Sequence, residues 1–401
     1  MDRLIVKNFG PLKDVDIELN KINLFIGENG SGKSVLGKII TIITSAFPPE
    51  NIEEEILEEF KKYNIPFFLR NTIILYKKDK EIIFQLKNKK ILKYKKIEPT
   101  DYDVVKYLEY LTNKLKDPDK KLSFLEKIKK LFKPEIPEES NEKLKILFNE
   151  IQNPKPNKSI KKAQHISQYI PAERNLISIF SKSISSFLIA DIPLPKFLLS
   201  FSSEYEKARN TIQELNLLEV QYQFKEGRDY IIYDKNDSLK NSLPLENSSS
   251  GIQSALPLYL TVKYFSQKHE SIIIEEPEQN LFPKAQSETI KYIVEQVSDE
   301  NSLFLMTHSP YVLSTLNILM MAHKAGNLNE VSKSKVTELY NEKQWINPDE
   351  FSAYYLENGV ARDIKGRTGL ISDNEIDESS DNIQGAFEEL LAIYREHKNV
   401  K

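Results

Sequence analysis

Three short, largely apolar runs of residues, at 22–26, 271–274 and 303–306, are the strongest pattern in this chain. The last two are continuous, which is typical of parallel strands buried on both faces. A helical pattern at about 284–297 separates them and completes a strand–helix–strand unit. The pattern therefore predicts an α/β fold with a mostly parallel central sheet.

Two alternating segments precede the first run. Residues 3–8 and 14–19 are predicted to be antiparallel strands joined by a turn at Gly10-Pro11. After the first run, a helical pattern extends from Ser34 to the prolines 48–49, which cannot continue a helix. These elements form the N-terminal part of the predicted core.

The pattern changes between residues 50 and 165. Lysine-rich and acidic stretches alternate here, with two short β-like runs followed by helical periodicity, at 72–76, 82–86, 102–132 and 141–151. Prolines interrupt the helical part too often for a long coiled coil. We expect an inserted α+β or helical lid.

The rest of the chain is predicted from weaker patterns. A strand is expected at 169–174, helical structure over 175–218, and a hairpin at 219–234. A helix is expected from Gly251 to about 265. The tail is expected to hold a hairpin near 351–364 and a final helix at 383–397.

The loop between the strand 22–26 and the next helix reads G-x-x-x-x-G-K-S. Its glycines allow consecutive backbone N–H groups to surround a phosphate at a helix N-terminus. Lys33 would contact the β- and γ-phosphates, and the Ser34 hydroxyl would bind Mg²⁺. The alternative, a glycine-rich turn with a chance lysine, does not account for this strand–loop–helix context. The residues expected to contact ATP are Gly27, Asn29, Gly30, Gly32, Lys33 and Ser34.

An acidic pair, Glu275-Glu276, follows the apolar run 271–274. Glu275 would hold Mg²⁺ through water or together with Ser34, and Glu276 would orient or deprotonate the attacking water. Two glutamates after a strand are also common as a solvated strand end. Downstream of a phosphate loop, the catalytic interpretation is favoured.

Two further segments carry candidate chemistry. His308 follows the run 303–306 and could exchange a hydrogen bond with the γ-phosphate or the water beside Glu276, although a lone histidine is more often structural. Ser249, Ser250 and Gly251 open a predicted helix, where hydroxyls and a glycine could bind an anion. Taken alone, such a serine-rich segment is most often a flexible loop.

Along the chain the motifs follow the order phosphate loop, Ser-Ser-Gly-x-Gln segment, Glu-Glu strand end and Thr-His-Ser segment. In this order they resemble the ABC-type ATPases of the RecF / SMC / overcoming-lysogenization-defect group, often described as AAA-family ATP-binding proteins. Residues 4–12 and 275–283 also resemble segments of that group. The resemblance implies a homodimer, or a higher oligomer, that closes on ATP. Ser249, Ser250 and Gly251 would then contact the γ-phosphate held by the other copy, and Gln279-Asn280 would cross the interface.

The chain departs from the family pattern at a few positions. Glu275 stands where many members have aspartate, Ser250 where transporters have glycine, and Asn280 and Phe282 where histidines are common. Two assignments stay open. Gln168 is a candidate for sensing Mg²⁺, and Arg174 would contact a phosphate or the neighbouring head, or form an ordinary surface ion pair.

The resemblance divides the chain into four parts. Residues 1–49 and 166–322 would form the ATPase core, 50–165 a basic insertion, and 323–401 an α+β tail. The 401 residues carry a net charge of −3 and contain no cysteine, which excludes disulfides, thiolate catalysis and cysteine-based zinc sites. Neither a signal-peptide pattern nor an apolar run near 18 residues occurs, so a cytoplasmic protein without membrane contact is expected.

Charge is unevenly distributed and bears on the partner. Residues 51–165 hold 27 Lys+Arg against 19 Asp+Glu, a net +8. Within them, the lysines of 77–96 alternate with Tyr76, Phe84 and Tyr94, a composition that suits a nucleic-acid backbone. A DNA-associated ATPase of repair or anti-phage defence is therefore one hypothesis, and a solvated lysine-rich hairpin is the alternative.

Two other functions remain as alternatives. The chain could be a nucleotide-gated sensor or scaffold that controls a separate effector such as a nuclease, because no nuclease-like metal cluster is evident after residue 322. A transporter ATPase subunit is disfavoured, since the Leu-Ser-Gly-Gly-Gln signature is missing.

Overall fold

The apolar runs form neighbouring strands in the parallel part of an eleven-stranded mixed sheet in the computed structural model. It describes residues 2–45, 52–94, 167–180, 194–233, 242–267, 271–297, 301–371 and 389–390. The chain divides into two units, and all described residues belong to the first, which comprises Met1–Lys95 and His165–Lys401. The predicted helices at 102–132 and 141–151 lie outside the described residues, as does nearly all of the predicted final helix 383–397.

Five parallel strands make up one end of the sheet, in the order β14-β3-β13-β12-β7, with β7 at its edge. Every residue of β3 and β12 is buried, as expected for strands covered on both faces. The carboxyl ends of all five strands lie at one edge. The strands are β3 (Ile22–Ile26), β7 (Ser167–Ile170), β12 (Ser271–Glu275), β13 (Ser302–Thr307) and β14 (Phe351–Glu357).

The other strands of this sheet are antiparallel, except that β15 makes one parallel bridge to β2. The sheet continues from β14 through β15, β2, β1, β4 and β5 to β6. Strands β4–β6, which fall in the predicted insertion, thus extend the main sheet. The strands are β1 (Asp2–Phe9), β2 (Leu12–Leu19), β4 (Phe68–Lys78), β5 (Glu81–Lys87), β6 (Lys90–Tyr94) and β15 (Val360–Asp363).

A second sheet has four antiparallel strands in the order β11-β10-β9-β8. They are β8 (Glu214–Leu217), β9 (Val220–Lys225), β10 (Arg228–Ile232) and β11 (Ser242–Pro244). The predicted hairpin at 219–234 is confirmed as β9–β10. The predicted helix to residue 218 is wrong at its end, because Leu215 and Leu217 are buried while Glu214 and Asn216 are exposed, the two-residue period of a strand.

Helix α1 positions the loop that precedes it, because it packs on β7, β12 and β13. Gly37 permits the close approach, since a Cβ at this position would overlap the side chain of Met306 on β13. The helices are α1 (Lys33–Thr44), α2 (Ile52–Lys62), α3 (Asn175–Phe180), α4 (Lys196–Thr211), α5 (Ser250–Ser266), α6 (Pro283–Gln296), α7 (Pro310–Gly326) and α8 (Glu330–Leu339). The predicted fold class is confirmed: an α/β fold with parallel strands and antiparallel N-terminal strands.

Candidate active site at the carboxyl edge of the sheet

The G-x-x-x-x-G-K-S loop joins β3 to α1 in a conformation that requires glycine. Gly27 has φ = 150°, and a Cβ on it would collide with the carbonyl oxygen of Leu356 on β14. Gly32, immediately before α1, has φ = 101°. Both values are strained for any residue with a side chain. The loop can therefore turn tightly enough for its N–H groups to point at one anion.

Lys33 is buried within this loop. Its Nζ donates to the carbonyl oxygens of Gly27 at 2.6 Å and Glu28 at 2.8 Å. Burial lowers the pKa of Lys33 below its ordinary value, while the carboxylates of Glu276, Glu278 and Glu275, in that order, oppose the shift. The ammonium group is therefore close to the acidic end of β12. Asn29 and Ser34, which the motif also implicates, are exposed at the same loop.

The acidic pair lies where β12 ends, with one strand, β13, between it and the loop. Glu275 is only 5% exposed, and its Oε1 makes no hydrogen bond of ordinary geometry among the described residues. The buried hydroxyl of Tyr169 lies close to this carboxylate, and burial together with the charge of Glu275 raises the pKa of Tyr169. A buried carboxylate oxygen without a donor is unfavourable unless a cation neutralises it. Glu275 therefore fits a divalent cation such as Mg²⁺, and the glycine-dependent loop fits a phosphate.

Glu276 has a different environment from Glu275. Its φ is 43°, the left-handed region, and its N–H donates to Met306 O at 2.8 Å. Its side chain is partly exposed and lies with Oε1 3.7 Å from Nδ1 of His308. The turn therefore directs one glutamate into the protein and leaves the next accessible to a reactant.

Glu278 is a site residue that the sequence reasoning missed. Its buried Oε1 accepts hydrogen bonds from Thr307 Oγ1 at 2.6 Å and from the backbone N of His308 at 3.1 Å. It also lies 3.7 Å from His308 Nδ1. The second glutamate of the Glu-Glu-Pro-Glu segment was the available signal. Its contacts hold the end of β13 beside the end of β12.

The serine-rich segment begins α5 as predicted. Ser249 caps the helix by accepting from Ile252 N, and Ser249 and Ser250 are both exposed. Gly251 packs against the carbonyl oxygen of Asn280, 2.9 Å from where a Cβ would stand. Gln253 is buried and donates to three carbonyl oxygens of the preceding turn, those of Leu245, Glu246 and Ser248. Gln253 thus fixes the turn that leads into α5, so the serine-rich segment is ordered.

The structure does not bring Gln168 to the site. It pairs with Ile272 in the β7–β12 register, three residues before Glu275, and its side chain donates to Tyr169 O. At about 3.3 Å per residue, this places it roughly 10 Å along the strands from the acidic pair. Arg174 is fully buried, so the interpretation as a surface ion pair is wrong. Its four hydrogen bonds all go to backbone carbonyl oxygens.

The lysines and aromatic residues of the basic segment lie on opposite faces of β4–β6. Tyr76 and Phe84 are paired, and they are buried at 5% and 1% exposure. Lys87 pairs with Lys90 on the other, open face, where all three of Lys87, Lys90 and Lys93 are exposed. The alternation of basic and aromatic residues reflects the two-residue period of strands. Tyr76 and Phe84 are therefore not available at the surface that carries Lys87, Lys90 and Lys93.

The position of these features defines the class of protein. A glycine-dependent loop leads from the parallel strand β3 into α1. Acidic residues stand at the end of β12, which is separated from β3 by one strand, β13. This is the arrangement of P-loop ATPases. The chain is a member of the family described as AAA ATPase domain, which matches residues 1–313.

Solved SMC head domains are among the similar structures. The head domain from Thermotoga maritima is 10% identical, with a TM-score of 0.35, covering 90% of this chain and 97% of that chain. The head from Pyrococcus furiosus with an extended coiled coil, bound to the C-terminal domain of ScpA, is 12% identical, with a TM-score of 0.36, covering 91% and 96%. No curated protein matches the chain. Across the described residues, none of the helices has the length and apolar character needed to cross a bilayer.

Proposed function

We propose that this chain binds ATP with Mg²⁺ at the carboxyl edge of the sheet and hydrolyses the γ-phosphate bond. The observation that carries the proposal is the buried, unpartnered oxygen of Glu275 close to a lysine-containing, glycine-dependent loop. Mg²⁺, when bound, would neutralise charge on the phosphates. Glu275 and Ser34 would hold it, and the N–H groups of 27–34 would bind the phosphate oxygens.

Each remaining group has a distinct role in this proposal. Lys33 exchanges the carbonyl oxygens of its own loop for phosphate oxygens, which are stronger acceptors for an ammonium group. Glu276, the accessible member of the pair, orients or deprotonates the attacking water. His308 lies 3.7 Å from Glu276 and adds a second hydrogen-bonding group beside that water.

We further propose that the site is completed by a second copy of the chain. Ser249 and Ser250 are exposed, Ser249 caps its own helix, and Gly251 lies against residues 280–281. Exposed hydroxyls at a helix N-terminus can bind the γ-phosphate held by another molecule. ATP would thus join two heads, each supplying this segment to the other.

Ser250→Arg tests hydrolysis and dimerisation together. Wild-type protein should form a dimer in Mg–ATP, and phosphate release per chain should rise with protein concentration. The substitution puts a bulky cation on an exposed helix start, so it should keep ATP binding but lower phosphate release at least about tenfold, the equivalent of about 1.4 kcal/mol. Light scattering after size exclusion and a phosphate assay measure both effects.

Ser314→Arg is the matched control, because Ser314 is also an exposed serine near the start of a helix, α7. It should leave dimerisation and phosphate release unchanged. A Ser250→Arg protein that dimerises and hydrolyses ATP normally would contradict the role of the segment 249–251. A wild-type protein that stays monomeric in Mg–ATP would contradict the dimer itself.

As a second candidate function, we propose that the open face of β4–β6 binds the DNA backbone. Arg3 and Lys7 on β1 are balanced by Asp16 and Asp14 on β2 through ion pairs of 2.6 and 2.9 Å. Within the part of the chain that the structure describes, no acidic strand lies beside Lys87, Lys90 and Lys93 on β5 and β6. Lys87, Lys90 and Lys93 therefore give this end of the sheet a surplus of positive charge, which favours phosphate contacts.

Replacing Lys87, Lys90 and Lys93 by glutamine should weaken DNA binding and its dependence on salt. Three lost phosphate contacts would reduce the slope of log K against log salt by about 2.7. Fluorescence anisotropy with duplex DNA at several salt concentrations measures this slope. The control variant has the same net charge and replaces Lys61, Lys207 and Lys333 by glutamine. These three lysines lie on helices, and each forms an ion pair with a glutamate. Equal slopes in the two triple variants, or no binding by wild type at low salt, would contradict DNA contact at this face.

A further inference from the structure

Arg174 is a buried charge for which the proposed hydrolysis assigns no role. Its exposed fraction is 0%, and among the described residues no carboxylate forms a hydrogen bond with it. Burial lowers its pKa to about 10, against the opposing carboxylates of Glu278 and Glu276. Keeping a guanidinium group in the interior is costly unless its donors are well satisfied. Because of this cost, we expect the protein to use the guanidinium group of Arg174 at this position.

The guanidinium group links three segments that are distant in the chain. Nη1 donates to Pro171 O after β7 at 3.1 Å and to Glu275 O at 2.7 Å. Nη2 donates to Glu276 O at 2.6 Å, and Nε donates to Ser254 O on α5 at 3.1 Å. One side chain thus connects the acidic end of β12 to the helix that carries the serine-rich segment.

Arg174 connects two backbone segments, the acidic turn after β12 and the start of α5, and a small displacement of either would be felt at the proposed site. Glu276 has a left-handed backbone, which for a residue with a side chain persists only when its surroundings hold it. Ser254 lies one turn after Ser250, and its Oγ accepts from Asn280 Nδ2 at 2.9 Å. Movement at the start of α5 would therefore reach the carbonyl groups of the acidic turn through Arg174.

We propose that Arg174 is a positioning residue that holds Glu276 in its turn and couples it to the start of α5. This inference rests on the proposed function, in which Glu276 acts on water and a second copy contacts the segment 249–251. Engagement of that segment by ATP on the other copy adjusts α5, and Arg174 transmits the adjustment to Glu276. Hydrolysis is thereby tied to closure of the dimer.

The chemistry of the side chain makes this inference specific. A guanidinium group has five donors in a planar fork and here satisfies four carbonyl oxygens in different directions. A lysine at the same position would keep the charge but offer three donors on one atom, so it could not bridge all three segments. Arg174→Lys therefore removes the link while retaining a buried cation.

The test compares Arg174→Lys with wild type in Mg–ATP. We expect a folded protein that binds ATP with a Kd within about threefold of wild type and still dimerises on ATP, because the phosphate loop and Ser250 are unaltered. The kcat should fall about 10- to 100-fold with little change in KM, the signature of an interaction used in the transition state. Arg209→Lys is the control, since Arg209 is largely buried and bonds to Asp229 on β10 of the small sheet.

A double variant separates positioning from general structural support. If Arg174 acts through Glu276, Arg174→Lys should cause no further loss of kcat in a Glu276→Gln background. An additive loss, an unchanged kcat in Arg174→Lys, or failure of that variant to fold would each overturn the inference. Normal turnover in Glu276→Gln alone would instead overturn the proposed function.

Discussion

Glu276→Gln should lower the turnover of ATP by about a thousandfold while ATP stays bound, since removing a general base typically costs 10²–10⁴ in rate. Glutamine has the shape of glutamate but cannot take a proton from water. The φ of 43° at residue 276 is set by the backbone contacts to Met306 and Arg174, which the substitution does not touch. The variant should therefore fold, bind Mg–ATP and accumulate as the closed dimer.

Single-turnover phosphate release separates the loss of chemistry from a loss of binding, and size exclusion with ATP follows the dimer. Glu350→Gln is a suitable control because Glu350 lies immediately before β14, at the amino end of that strand and away from the acidic turn. It should hydrolyse ATP at the wild-type rate. Normal turnover in Glu276→Gln would show that another group activates the water.

The parallel strands could be predicted from the sequence, because the signal of a buried strand lies within its own few residues. Strands such as β12 are covered on both faces, so they appear as uninterrupted apolar runs. Their order then follows from strand–helix–strand connections, and parallel strands end at a common edge. The sequence therefore predicts Lys33 near Glu275 and Glu276, and in the structure α1 and the end of β12 lie at that edge.

The outer strands of the two sheets were harder to predict, because pairing with neighbouring strands determines their conformation. The short segment of β8 follows a long helix, and only its pairing with β9 distinguishes a strand from another helical turn. The sequence predicts that the lysine-rich strands belong to an insertion. In the structure, the pairing of β1 with β4 joins them to the main sheet. Tyr76 and Phe84 alternate with lysines in the sequence, but the core of the sheet buries them.

The supporting contacts of the site could not be predicted for a related reason. Arg174 bonds only to carbonyl oxygens, including those of Ser254 and Glu276, which are 80 and 102 residues away in sequence. Backbone acceptors have no residue type, so no motif identifies them. Glu278 was visible within a motif, yet its use depends on the strand end that contributes Thr307. Motifs locate the groups that would touch the reactant, whereas contacts across segments determine which residues hold those groups in place.

Lys33→Met should abolish most of the stabilisation that ATP gives the protein. Wild type at an ATP concentration 100 times its Kd should gain about 2.7 kcal/mol in the free energy of unfolding. Methionine keeps the length of the side chain but removes the charge that would face the phosphates, and we expect an affinity about 100-fold lower. At the same ATP concentration the gain would then be only about 0.4 kcal/mol, so thermal unfolding with and without Mg–ATP should nearly coincide.

Lys38→Met distinguishes this effect from a general weakening of α1. Lys38 is on the same helix, but its Nζ lies 4.5 Å from the centroid of the Phe197 ring, away from the phosphate loop. Losing that cation–π contact should lower stability by about 0.5–1 kcal/mol with or without ATP, so the gain from ATP should persist. If Lys33→Met kept the full gain, the loop would hold ATP without its lysine, and the neighbouring carboxylates would be the remaining reason for a cation at this position.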